Sequence, residues 1–209
     1  MQAPRVSVID YGMGNIWSVI SALKYLGVET EFVSSPKKIE ESKILILPGV
    51  GSFSKGMKEL KCRGIDQAIM AALQNNNAKI LGICLGMQLM GSYGTENRRT
   101  PGLGLIPNGV ESFTQDELKV DKIPHVGFNS ICFDEGKGLF DGLANFSDFY
   151  FTHSYRMLVD DLQGQYAICN YGIDFLAAFE MGNICGAQFH PEKSQTNGLI
   201  FLKNFLQKG

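Results

Sequence analysis

The run Lys79-Ile80-Leu81-Gly82-Ile83-Cys84-Leu85-Gly86-Met87-Gln88 delivers one cysteine between two glycines at the end of an apolar stretch. Cysteine attacks carbonyl carbon as its thiolate, which makes a cysteine held in an open, polarised turn a candidate for covalent acyl transfer. The pattern has the shape of a nucleophile elbow, with cysteine where many hydrolases carry serine. A Cβ at position 82 or 86 would crowd so sharp a turn, which accounts for glycine at both. A helix starting directly after Cys84 would turn unpaired amides and the positive end of its dipole toward the sulfur. The competing reading is a plain core cysteine, since free cysteine is among the most buried residue types.

A catalytic cysteine needs a base, and the base needs an orienting group. Gly186-Ala187-Gln188-Phe189-His190-Pro191-Glu192 offers both. His190 and Glu192 are two residues apart and share one face of an extended backbone, and Pro191 between them restricts the chain. The other histidines, His125 and His153, read as packed structural residues.

The elements that must position these groups follow from periodicity. Arg5–Asp10 reads as a strand ending in the turn Asp10–Asn15. A helix follows on Ile16, Val19, Ile20, Leu23 and Leu26, and Gly27 stops it. Glu29–Val33, the continuously apolar Lys43–Leu47 and Lys79–Ile83 read as further strands, with a helix at Arg63–Leu73. The alternation predicts an α/β fold, an open and mostly parallel sheet flanked by helices. After Thr100 the texture changes to short β-rich pieces: Gly102–Ile106, Gly109–Phe113, Ile131–Phe133, Asp148–Tyr155, Gln165–Asn170, Leu176–Glu180 and Ile184–Phe189. Glu180–Asn183 reads as a tight antiparallel connection, Asn197–Gln207 as a closing helix, and the sheet as becoming mixed in this half. Three glycine-rich turns close strands at the end where open α/β sheets carry their sites: Asp10–Asn15, Pro48–Gly51 and the elbow. Neither of the first two matches a dinucleotide or phosphate loop, and together the three read as a backbone amide cradle for an oxyanion.

With 209 residues the chain reads as a single domain, 1–209. A net charge of −2, with 44% hydrophobic and 19% charged residues, gives no sign of nucleic-acid or acidic-membrane binding. No apolar run approaches the roughly 20 residues of a membrane span, and the N-terminus lacks signal-peptide architecture. Five scattered cysteines without a CxxC pair argue against a disulfide framework or a zinc site, and for a reducing cytoplasm. No metal or other cofactor is expected.

The elbow together with Gln188-Phe189-His190-Pro191-Glu192 resembles the class I glutamine amidotransferases, whose core is flavodoxin-like. Asp10–Asn15, Pro48–Gly51, Pro124–Asn129, His153–Tyr155 and His190–Gln195 are similar to the branch that serves imidazole glycerol phosphate synthase, over essentially the whole chain. The resemblance implies that Cys84 attacks the carboxamide of glutamine, that His190 is the base and that Glu192 orients it. It implies an oxyanion hole from the amides of Leu85 and of Val50 or Gly51, and substrate contacts from Gly51, Gln88, Ser154 and Tyr155. It implies ammonia passed to a separate (β/α)₈-barrel cyclase, with Asn15, Phe128 and Lys193 near that heterodimer interface. Two departures stand out: Phe128 where the branch usually has Trp, and the segment Ser92–Glu96 after the elbow. Relatives that feed a barrel partner making an acetamidino sugar are an alternative, since Pro124–Asn129 looks somewhat more like theirs. A stand-alone cysteine hydrolase and a scaffolding module without catalysis are remoter ones.

Overall fold

Strand and helix alternate along the first half as β1 (Val6–Ile9), α1 (Ile16–Tyr25), β2 (Thr30–Val33), α2 (Pro36–Glu41), β3 (Ile44–Gly49), α3 (Phe53–Cys62), α4 (Ile65–Asn75), β4 (Lys79–Cys84) and α5 (Leu85–Leu89). Then come β5 (Tyr93–Gly94), β6 (Thr100–Pro101), β7 (Gly109–Ser112), α6 (Gln115–Leu118), β8 (His125–Ile131), β9 (Ser147–His153), β10 (Tyr155–Met157), β11 (Gln165–Tyr171), β12 (Ile173–Met181) and β13 (Ile184–Ala187). A 3₁₀ turn (Pro191–Lys193) and α7 (Gln195–Gln207) close the chain. The structure is a computed structural model and describes residues 5–118, 122–159 and 163–208.

Seven strands form the main sheet in the order β11-β12-β13-β4-β3-β1-β2. The five from β13 to β2 pair in parallel, and β12 and β11 add antiparallel at one edge. The sheet is therefore mixed where the sequence turns to hairpin chemistry, with Gly182 at φ +58° in the β12–β13 connection. Two small sheets stand apart, β10-β7-β5-β6 and β8-β9. The β-rich pieces of the second half thus divide among three sheets instead of all extending one. Gly102–Ile106, expected as a strand, is irregular; its amides at Gly102, Leu103, Gly104, Leu105 and Ile106 bond carbonyls of residues 89–92, just after the elbow helix.

Alternation on β3 explains the layers. Ile44 and Ile46 join a core under α1 and α7, and Leu45 and Leu47 join a second core under α2–α5. Both faces are buried, as continuous apolar strands require. Helices α2 and α3 were not among the elements expected from the sequence; α2 buries Ile39 alone, and α3 buries Phe53, Gly56, Met57 and Leu60, the i, i+3, i+4, i+7 stripe of an amphipathic helix.

Candidate active site

Register brings the chemistry together. Gly49 pairs with Cys84 across β3–β4, and Ala187 pairs with Ile83 across β13–β4. The ends of three adjacent parallel strands therefore carry the Pro48–Gly51 turn, the elbow and the Gln188–Glu192 exit side by side. The Asp10–Asn15 turn follows β1, next in the sheet.

The elbow is strained as its glycines predict. Cys84 sits at φ +53°, ψ −112°, a region that costs a side-chain-bearing residue about 1–3 kcal/mol. A Cβ at Gly82 would come within 2.7 Å of the Met87 backbone, and one at Gly86 within 1.7 Å of the Leu47 carbonyl oxygen. Helix α5 starts at Leu85, immediately after Cys84, and is only five residues long. The Cys84 sulfur faces the Thr152 carbonyl at 4.0 Å and receives the Gln188 amide at 3.8 Å.

His190 and Glu192 meet as the spacing implies. The ring Nδ1 lies 2.8 Å from Glu192 Oε1, with both side chains almost fully buried. Nδ1–H donates to the carboxylate, which leaves Nε2 for the sulfur side. Nε2 has no hydrogen-bond partner, nor has Glu192 Oε2. The turn is anchored to β9: His190 N donates to the Tyr150 carbonyl at 2.8 Å, Tyr150 N donates to Ser194 Oγ at 2.9 Å, and Ser194 Oγ donates to the His190 carbonyl at 2.7 Å.

Burial, the largest single influence, lowers the His190 pKa, but the Cys84 sulfur and the Glu192 carboxylate together outweigh it and push the value up to about 9. The ring is thus a strengthened base. A His pKa raised from 6.5 to about 9 on folding contributes stability that is complete below pH 6.5 and lost as pH rises to about 9. Glu192→Gln should shrink that loss. Thermal melts across the window should show a smaller fall for the variant than for the unaltered chain; an equal fall would refute the coupling.

Gln88 Nε2 donates to the Tyr155 carbonyl at 2.8 Å and to Gln188 Oε1 at 2.9 Å, so a chain of amides links Tyr155, Gln88, Gln188 and Cys84. Gln188 was not singled out in the sequence, although it precedes His190 by two residues on the same extended segment. The histidines reach the same carbonyl. His153 Nδ1 lies 2.9 Å from the Tyr155 oxygen, and its Nε2 lies 3.1 Å from His125 Nδ1. The carbonyl can only accept, which fixes His153 with its proton on Nδ1 and makes His125 Nδ1 the donor to Nε2. Burial lowers their pKa values to about 3 and about 4, so both rings are neutral at pH 7. They are packed, as expected, and also brace Tyr155.

Of the oxyanion candidates, Leu85 is the first helical residue, Val50 is 43% exposed, and Gly51 at φ +108° holds a conformation that glycine supplies. Downstream, Glu96 Oε2 accepts from Phe53 N at 2.6 Å, so the atypical segment after the elbow pins the start of α3 behind this turn. Ser154 separates β9 from β10 and offers its carbonyl to Phe113 N at 3.1 Å. Phe128 and Lys193 converge on Tyr150: the rings of Phe128 and Tyr150 are 5.6 Å apart, and Lys193 Nζ is 5.6 Å above the same ring. Tyr150 was not foreseen. Asn15 is exposed at the start of α1, which packs against the Pro191–Lys193 turn.

A buried imidazole–carboxylate pair beside a cysteine on a strained elbow is an arrangement that could carry cysteine-dependent acyl transfer. The chain belongs to the class I glutamine amidotransferases, whose family description, "Glutamine amidotransferase class-I", matches residues 7–208. It is 43% identical to imidazole glycerol phosphate synthase subunit HisH 1 of Parasynechococcus marenigrum, over 97% of each chain. It is 41% identical to imidazole glycerol phosphate synthase subunit HisH of Methanosarcina acetivorans, over 97% of this chain and 98% of that one. The fold is similar to that of PurLQS from Thermotoga maritima, with TM-score 0.72 at 19% identity over 98% of each chain. Among the described residues no helix is long and apolar enough to cross a membrane.

Proposed function

We propose that this chain is the glutaminase subunit of an imidazole glycerol phosphate synthase, and that residues 1–209 act as one glutaminase domain supplying ammonia to a (β/α)₈-barrel cyclase in histidine biosynthesis. The observation that carries the reading is the placement of Cys84 and the His190–Glu192 pair on neighbouring strand ends. The full-length similarity to synthase subunits supports the pathway. The five free cysteines fit a reducing, cytoplasmic setting.

Cys84 gives its proton to His190 Nε2, and its sulfur bonds to the amide carbon of glutamine as the carbonyl electrons move onto oxygen. The backbone amides of Leu85 and of Val50 or Gly51 hold that oxyanion; losing one such donor costs roughly 10²–10³ in rate. His190 returns the proton to the nitrogen, the C–N bond breaks, and ammonia leaves a γ-glutamyl thioester. Water, deprotonated by His190, then releases glutamate. Glu192 holds the ring in the tautomer both steps need. Gln88, Gly51, Ser154 and Tyr155 bind the substrate. Phe128 and Lys193, gathered on Tyr150, and Asn15 contact the partner, whose docking biases the Pro48–Gly51 turn toward its catalytic form.

A pairing assay tests this. Mixed with the barrel cyclase and its histidine-pathway acceptor, the chain should release glutamate about tenfold faster or more, a coupling of ordinary size. Equal rates with and without partner and acceptor would sink the partnership, and acceleration only by a nucleotide sugar would move the chain to sugar amidination.

A further inference from the structure

Tyr11 stands in the first glycine turn, and nothing in the chemistry above uses it. Its side chain is fully buried, and its hydroxyl has no hydrogen-bond partner. An unpaired buried hydroxyl is costly, which makes it a feature requiring a reason. The hydroxyl lies against Gly49: a Cβ there would come within 2.3 Å of it, and within 3.0 Å of Gly86 N. Tyr11 thus sits directly beneath the turn that carries the Val50 amide, beside the start of the elbow helix.

The faces of the sheet make the position meaningful. Tyr11 belongs to the core shared by Leu47, Leu85 and Met87, and Cys84 to the opposite core with Ile83 and Ile46. A trans peptide points its N–H and C=O in opposite directions. When the Val50 N–H turns to the Cys84 side to receive an oxyanion, the Gly49 carbonyl turns to the Tyr11 side. We infer that Tyr11 is a positioning residue whose hydroxyl donates to the Gly49 carbonyl in the catalytic arrangement of the Pro48–Gly51 turn, so latching the oxyanion amide in place. Glycine at 49 is then needed because any side chain would displace the hydroxyl. Burial and the nearby Cys84 sulfur both raise the Tyr11 pKa, which keeps it a neutral donor at any working pH.

The inference rests on the glutaminase reading, and Tyr11→Phe tests it in the full chain, alone and with the barrel partner bound. Removing a hydroxyl that is unpaired in the resting arrangement should leave the melting temperature equal or higher. The kcat for glutamine should fall roughly five- to tenfold, the size of one net hydrogen bond, with KM unchanged. Alkylation of Cys84 by iodoacetamide, which forms no oxyanion, should proceed at the unaltered rate. An unchanged kcat would overturn the latch, as would a fall in kcat accompanied by lost stability or slower alkylation. Failure of the unaltered chain to hydrolyse glutamine would instead overturn the glutaminase reading.

Discussion

Cys84→Ala should abolish glutamate release, by about 10⁴-fold or more, as loss of the nucleophile does in triad enzymes. The expectation is large because no other thiol can substitute. Cys169 and Cys185 are buried, with pKa values pushed up to about 12 chiefly by burial, and Cys62 and Cys132 are exposed. The same position carries a separable effect on stability. At φ +53°, ψ −112° alanine keeps the backbone strain and glycine relieves it. Cys84→Gly should therefore be equally inactive and about 1 kcal/mol or more stabler than Cys84→Ala by denaturant midpoint. Glutamate release above about one per cent of the unaltered rate in either variant would remove Cys84 from the mechanism. Glycine no stabler than alanine would remove the strain.

The parallel half of the fold was legible because its central strands β1, β3 and β4 are buried on both faces and its glycines mark forced turns. β3 reads Ile-Leu-Ile-Leu, and a Cβ at either of the elbow's two glycines would meet backbone at under 3 Å. Local pattern sufficed for those strands and turns. It failed where an element is built by neighbours: the three sheets into which the second half divides depend on long-range pairing, as of His125 with His153 across β8–β9. The site divides in the same way. Cys84 and His190 carry residue types rare enough to stand out, and Glu192 is found by its two-residue spacing from His190. Gln188, Ser194 and Tyr150 are ordinary side chains whose importance is who they touch, and the sequence does not display those contacts. Tyr11 lay inside a quoted motif and still went unread, since an unpaired hydroxyl is visible only in three dimensions.

The second large effect is purely steric. Gly86→Ala should cost more than about 3 kcal/mol or prevent folding, beyond the usual range for overpacking, because the obstacle is backbone. The new methyl carbon would sit 1.7 Å from the Leu47 carbonyl oxygen, and that carbonyl belongs to a strand paired on both sides. Neither partner can move without breaking the β3–β4 register that sets Gly49 beside Cys84. Gly182→Ala isolates the other way a glycine matters. Its φ is +58°, yet a Cβ there would meet nothing within 4 Å, so only conformational strain of about 1 kcal/mol is expected. Denaturant melts of the two variants measure collision against strain. Near-equal losses would mean that the elbow can retreat from β3. In that case close packing against Leu47 would not be what holds Cys84 in its strained conformation, and Cys84 would have to be held through its sulfur, by the Gln188 amide just after β13 and the Thr152 carbonyl of β9.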